Sequence, residues 1–144
     1  MMLVALPAVS IAQDPWKNIY SQHAWEERDT WQKANELIAL LGVREGSRVA
    51  DVGSHEGYMT FKLARKVGAS GVVYAVDLDQ SKLEKLKKHA EENQIRQIKP
   101  IKGQEDDPGL PANSLDAVLI LDTYHEMDDH EQILQHIRTA LVRG

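Results

Sequence analysis

The stretch Val49-Ala50-Asp51-Val52-Gly53-Ser54-His55-Glu56-Gly57-Tyr58 decides the fold. Arg48–Val52 is a short apolar run with β-branched residues, which predicts a strand. Gly53 to Gly57 is a tight loop. Tyr58–Val67 then carries Phe61, Leu63, Ala64 and Val67 as buried positions of a helix that Gly68 stops. A strand that passes through a glycine-rich loop into a helix is a ligand-binding device. Gly53 permits the turn and lets a ligand approach the backbone, and Gly57 lets the helix start close to the sheet. Ligands of open parallel sheets bind beyond the carboxyl ends of the strands, near the reversal of strand order.

The same alternation continues downstream. Val72–Val76 is apolar throughout, as a strand buried on both faces should be. Ser81 is expected to cap a charged helix running to about Asn93, with Leu83, Leu86 and Ala90 on one face and its lysines and glutamates in solvent. Ile98–Lys102 and Leu115–Leu121 read as a third and a fourth strand. Asp128 or Asp129 caps a last helix that turns Ile133, Leu134, Ile137, Ala140 and Leu141 inward. Upstream, Ala34, Leu37, Ile38 and Leu41 have helical spacing from Trp31, with Asp29 or Thr30 as the cap and Gly42 as the stop. This order predicts an α/β domain over residues 31–144, with a mainly parallel sheet, helices on both faces and right-handed crossovers.

The first 30 residues read as an arm. Met1 to Ala12 is an apolar run of the length of a signal-peptide core, roughly 7–15 residues, and Ser10-Ile11-Ala12 resembles a cleavage site. No Lys or Arg precedes the run, Pro7 interrupts it, and it is too short to span a bilayer as a helix. A trimmed export signal and an N-terminal arm both remain open on these residues. Trp16, Tyr20, Trp25 and Trp31 then interleave with polar residues and are expected to anchor the arm to the core; a cap over a pocket is the rival role. The 144 residues suffice for one domain, and 42% apolar and 27% charged residues are ordinary for a globular chain. The net charge of −5 argues against a broad nucleic-acid or anionic-membrane surface. The absence of cysteine removes disulfides, thiolate nucleophiles and cysteine zinc sites.

Two common nucleotide sites fail on this loop. A dinucleotide fingerprint, G-x-G-x-x-G, would need glycines where His55 and Tyr58 stand. A phosphate-cradling P-loop would need Gly-Lys-Ser/Thr after the loop, and none is there. Asp51, just before the turn, would repel a pyrophosphate but suits a ligand that carries an ammonium group. Asp77 ends the second strand, near the spacing of roughly 20 residues at which an acidic residue takes ribose hydroxyls. Leu78 follows it and is placed to lie against an adenine face.

Together these stretches resemble the class I S-adenosylmethionine (SAM)-dependent methyltransferases. VADVGSHEGY resembles that family's first motif and VYAVDLD its second. GQEDDPGLPANSLDAV resembles the run that enters the fourth strand, LILDTYHEM the end of that strand, and Arg138 to Gly144 the approach to the next one. The likeness runs from about Trp31 to the last residue. It implies a Rossmann-like three-layer domain, cut short after the fourth strand and its helix. The implied cofactor is SAM, whose ammonium and sulfonium charges agree with Asp51. On this resemblance Asp51 and the backbone around Gly53, Ser54, His55 and Gly57 hold the methionine part. Asp77 holds the ribose, Leu78 faces adenine, and Gln104 and Glu105 meet the adenine edge. Asp122 and Thr123 face the methionine part and the methyl group.

The chain departs from the pattern at three places. His55 replaces the middle glycine. Gln104 stands where aspartate is common, though its carbonyl still accepts from the adenine amino group. The usual C-terminal strands are missing, so the fourth strand is expected as an exposed apolar edge, to be covered by a second copy or by the N-terminal arm. Methyl transfer needs alignment and sometimes proton removal. His125 and Glu126 are the base candidates, with Tyr124 lining the acceptor pocket. His125 and His130 are one position further apart than the zinc-peptidase spacing of about four, so no metal is expected there. His23, His89 and His136 read as surface positions. The resulting expectation is a methyltransferase with a small-molecule acceptor and a cytoplasmic location, where the cofactor is supplied. A non-catalytic SAM-binding module or an inactive fragment is the alternative.

Overall fold

A computed structural model describes residues 3–6, 14–121 and 128–143 of the chain. Four strands form one sheet: β1 (Arg48–Val52), β2 (Val72–Asp77), β3 (Ile98–Lys102) and β4 (Ala117–Ile120). The order is β3-β2-β1-β4 and every pairing is parallel, with Asp51 opposite Ala75 on one side and Leu119 on the other. The order reverses between β1 and β4, which opens the crevice where such sheets bind ligands. The helices are α1 (Pro15–Gln22), α2 (Trp25–Gln32), α3 (Ala34–Leu40), α4 (Tyr58–Val67), α5 (Gln80–Glu92) and α6 (His130–Ala140).

Alternation along β1 divides the core. Val49 faces a large cluster that includes Ile38, Phe61, Leu63 and Leu86, so α3, α4 and α5 cover that face. Ala50 faces a smaller cluster with Tyr74, Leu115 and Ala140, which belongs to α6. Leu134 stays half-exposed on α6 and Leu141 is only partly buried, so the expected inward face narrows to Ile133, Ile137 and Ala140.

The arm is more ordered than its sequence suggests. Asp14 caps α1 by accepting from the Trp16 N–H at 3.1 Å, and Pro15 starts the helix with no amide to satisfy. Asp29 and Thr30, expected as caps, lie inside α2; the break before α3 is Lys33, at φ 52°. Asp29 does other work, accepting from the Tyr58 hydroxyl at 2.6 Å and pairing with the Lys62 ammonium at 2.7 Å. Ile19 is fully buried, and Trp25 packs edge-on against Tyr58 and tilted against Phe61. Trp16, Tyr20 and Trp25 pack against the core cluster, while Trp31 is exposed. Asp79 rather than Ser81 caps α5, accepting from the Ser81 and Lys82 amides.

Two further expectations are corrected. Residues 3–6 are exposed, so the described part of the apolar arm does not cover the β4 edge. The segment after α6 begins to do so: Leu141 bridges Leu115 in parallel, and the Val142 N–H donates to the Leu115 carbonyl at 2.9 Å. His89, read as a surface residue, is 7% exposed, and His23 is half-buried. Their rings meet edge-on at 4.5 Å, with His23 stacked on Trp25 and His89 edge-on to Phe61. Neither Nε2 has a hydrogen-bond partner among the described residues.

Burial, then the neighbouring His23, lowers the pKa of His89 below its ordinary value. The unfolded chain thus takes up this proton first. Stability from His89 is present above about pH 6.5 and is lost as pH falls toward the lower folded value. Urea unfolding of the chain and of His89→Phe at pH 7.5 and 5.5 should show the larger acid loss in the parent. Equal losses in both would contradict it.

Candidate functional site

The loop after β1 is clamped onto the end of β2. The N–H groups of Gly53 and Ser54 both donate to the Val76 carbonyl, at 2.8 and 2.9 Å. The His55 N–H donates to Asp77 Oδ2 at 2.8 Å, and the Asp79 N–H donates to Asp77 Oδ1 at 2.9 Å. Gly57 closes the loop at φ 106°, where a Cβ would stand 2.9 Å from Leu86 Cδ1 and from Phe61 Cε2. That position has room for hydrogen only. His55 adopts a left-handed φ of 51° without being glycine.

A cavity of about 310 Å³ lies beyond the carboxyl ends of β1 and β2, at the small end of the usual range for ligand sites. Val52 and Val76 form its floor, with Gly53 and His55 on one side. Asp77, Leu78, Asp79 and Lys82 form the β2–α5 wall, and Gly103, Gln104 and Glu105 the wall after β3. Pro108 and Ile133 supply apolar surface, and Asp128 borders the rim. Gly103 allows this wall to approach, since a Cβ there would meet Val76 Cγ1 at 2.9 Å.

A second, narrow cavity of about 10 Å³ adjoins the loop and is bordered by Arg28, Asp51, Ser54, His55, Tyr58 and Leu121 among others. It has room for about one water. Asp51 is 2% exposed and accepts from the Thr60 hydroxyl at 2.8 Å. Burial pushes its carboxyl up to about 6, against the Thr60 hydrogen bond and the Arg28 guanidinium, which favour the charged form. The Ser54 hydroxyl oxygen is buried with no hydrogen-bond partner among the described residues. Arg28 reaches this cavity from α2, its guanidinium 4.1 Å from the centre of the Tyr58 ring and donating to Gln32 Oε1 at 3.2 Å.

A family model for the methyltransferase domain matches residues 49–144, from β1 to the last residue. The chain belongs to that family. An aklanonic acid methyltransferase from Streptomyces sp. (strain C5) is 36% identical over 83 residues, covering 58% of this chain and 38% of that protein. A demethylmenaquinone methyltransferase from Bacillus mycoides (strain KBAB4) is 25% identical over 131 residues, 91% of this chain and 54% of its relative. The chain thus spans about half the length, or less, of these curated relatives. A SAM-dependent methyltransferase from Aquifex aeolicus matches with a TM-score of 0.71 at 24% identity, over 76% of this chain and 58% of its own. An arsenic(III) S-adenosylmethionine methyltransferase from Chlamydomonas reinhardtii matches with a TM-score of 0.65 at 25% identity, over 71% and 37% of the two chains. These likenesses establish the Rossmann-like α/β fold of class I SAM-dependent methyltransferases.

The methyltransferase domain brings most of the sequence candidates together. Gly53, His55, Asp77, Leu78, Gln104 and Glu105 border the wide cavity, and Asp51, Gly53, Ser54 and His55 the narrow one. Gly57 borders neither and serves packing. Asp122, Thr123, Tyr124, His125 and Glu126 lie outside the described residues. Sequence reading missed Arg28, Lys82 and Pro108. Trp25, Arg28 and Gln32 are the more buried positions of α2, at helical spacing, but Arg28 and Gln32 are polar, so the sequence carried no apolar signal for Arg28.

The raised pKa of Asp51 has a stability consequence. Its folded value of about 6 exceeds the usual 3.8, so the cost of the buried charge is absent below pH 3.8 and fully present above about pH 6. Asp51→Asn is expected to stabilise the chain at pH 8 by up to about 3 kcal/mol, with the gain vanishing near pH 4. Denaturant titrations at the two pH values would show it, and an equal effect at both would refute the charge argument.

Proposed function

We propose that this chain is the cofactor-binding part of a SAM-dependent methyltransferase that acts on a small organic acceptor. The observation that carries this reading is the cavity bounded by the loop after β1, by Asp77 at the end of β2 and by Gln104 and Glu105. The residues fit an adenosyl ligand. Each oxygen of Asp77 accepts one backbone hydrogen bond and keeps a second lone pair for a ribose hydroxyl. Leu78, Pro108 and Ile133 provide apolar faces for a purine, and Gln104 and Glu105 provide polar groups for its edge. The carboxylate of Asp51 and the unpartnered Ser54 hydroxyl supply the polar end that an amino acid moiety requires. Arg28 is the cation in position to take that moiety's carboxylate. The narrow cavity, of about 10 Å³, must widen for this.

When bound, SAM supplies a methyl group made electrophilic by its sulfonium. The chain's own task is then alignment and water exclusion. Tyr124, His125 and Glu126 follow β4 and are proposed to line the acceptor and remove its proton, with Asp122 and Thr123 on the cofactor side. A small-molecule acceptor is in keeping with relatives named for aklanonic acid and demethylmenaquinone.

Calorimetric titration with S-adenosylhomocysteine tests the reading. Binding is expected, with no heat from NAD. Asp77→Ala should weaken it by roughly 10- to 100-fold, the size of lost hydrogen bonds to a charged group. Failure of the folded parent chain to bind would overturn the proposal.

The pH profile is a second check. The ammonium of the ligand pairs with Asp51 only when the carboxyl is ionised, so affinity should rise with pH through about 6. Asp51→Asn should bind more weakly and without that rise. A profile unchanged in the variant would remove Asp51 from the ammonium role.

A further inference from the structure

Among the described residues, the side chain of His55 alone borders both cavities; Gly53 also borders both but has no side chain. The loop holds His55 at a left-handed φ of 51°, a conformation that glycine adopts freely and that a histidine keeps only when its surroundings hold it. Two contacts do so. The His55 N–H donates to Asp77 Oδ2 at 2.8 Å, and the ring Nδ1 lies 3.3 Å from Lys82 Nζ. Lys82 stands in the first turn of α5, where Asp79 caps the helix by accepting from the Lys82 amide at 3.3 Å. An ammonium has three donors and no acceptor. The contact is therefore a hydrogen bond only when Nδ1 is the acceptor, in a neutral ring that carries its proton on Nε2. The other charges bordering the two cavities are Asp77, Asp79, Glu105 and Asp128 on the wide side and Arg28 and Asp51 on the narrow one.

On the reading that the wide cavity takes an adenosyl ligand, we infer that His55 and Lys82 form a positioning pair for it. Lys82 fixes the tautomer of His55 and braces the loop, so that the His55 amide stays on Asp77 and the carboxylate is held in place for the ribose. His55 thereby does with a side-chain tether what a glycine does by its intrinsic freedom. Lys82 acts through His55 rather than on the ligand.

A double-mutant cycle with S-adenosylhomocysteine as the probe separates these roles. Lys82→Met should raise Kd about tenfold in the parent chain. In a His55→Gly background the same change should shift Kd by less than about twofold, because no tether is left to lose. Two readouts need no ligand. Long-range proton–nitrogen NMR should show the Nε2–H tautomer in the parent and a mixture in Lys82→Met. Hydrogen exchange of the His55 amide should be about tenfold faster in Lys82→Met. An Nδ1–H ring in the parent, or unchanged exchange, would overturn the pair, and so would an equal Kd penalty in both backgrounds, which would place Lys82 on the ligand itself. If the parent does not bind the probe, the adenosyl reading fails while the tautomer and exchange measurements still decide the pairing.

Discussion

The carboxylate of Asp77 holds the site together. It lies at the end of β2 and accepts from the backbone of two different loops, with His55 on one oxygen and Asp79 on the other. The first contact ties the turn after β1 to its neighbouring strand. The second sets the turn into α5, where Asp79 serves as cap. A charged acceptor makes shorter and stronger bonds to amides than a neutral one, so a single side chain fixes two walls of one cavity. The paired donation of Gly53 and Ser54 to the Val76 carbonyl repeats the tie one residue earlier.

Asp51 shows the opposite balance. Its carboxyl is buried between β1 and α4, with the Thr60 hydroxyl as its hydrogen-bond donor. Desolvation outweighs that bond and the nearby Arg28 charge. A fold selected for stability alone would place an apolar residue there. A carboxylate in that position is eased by a cation beside it, and Arg28 borders the same narrow cavity and favours the charged form. The desolvated carboxyl of Asp51 and the reach of Arg28 from α2 therefore belong to one arrangement, in which the arm borders the narrow cavity.

The sequence made β2 and β4 legible as apolar runs and β1 as a largely apolar run before Gly53, while β3 (IKPIK), with two lysines and a proline, gave the weaker signal. Four strands and the helices between them follow from such runs as Arg48–Val52 and Val72–Asp77. The wide cavity was legible from position along the strands, since Gly53, Asp77, Leu78 and Gln104 lie at or just past strand ends. The arm was not. Residues 25–32 read WEERDTWQ, polar with no clear apolar stripe, and the chain breaks at Ala24 and Lys33 rather than at glycine or proline. Tertiary contacts of Ile19 and Trp25 with the core override that weak local signal. Lys82 and His89 were lost within a helix so rich in charge that all its polar residues read as solvated. Yet both flank Leu86 at helical spacing, on the side turned toward the loop and the arm.

The sheet order also sets a sequence of events. β2 lays itself on β1 and β3 on β2, so each new strand meets the one made just before, and only β4 returns to the far edge of β1. A chain emerging from the ribosome can therefore close the Asp77 tie once the first turn of α5 has appeared, well before β4 exists. The floor of the wide cavity, Val52 and Val76, is complete at the same stage. The wall of the wide cavity at Asp77 is thus set early, while Gly103, Gln104 and Glu105, and then Asp128 and Ile133, join it later. The edge at Leu115 is the last part to be covered, when Leu141 and Val142 reach it after α6.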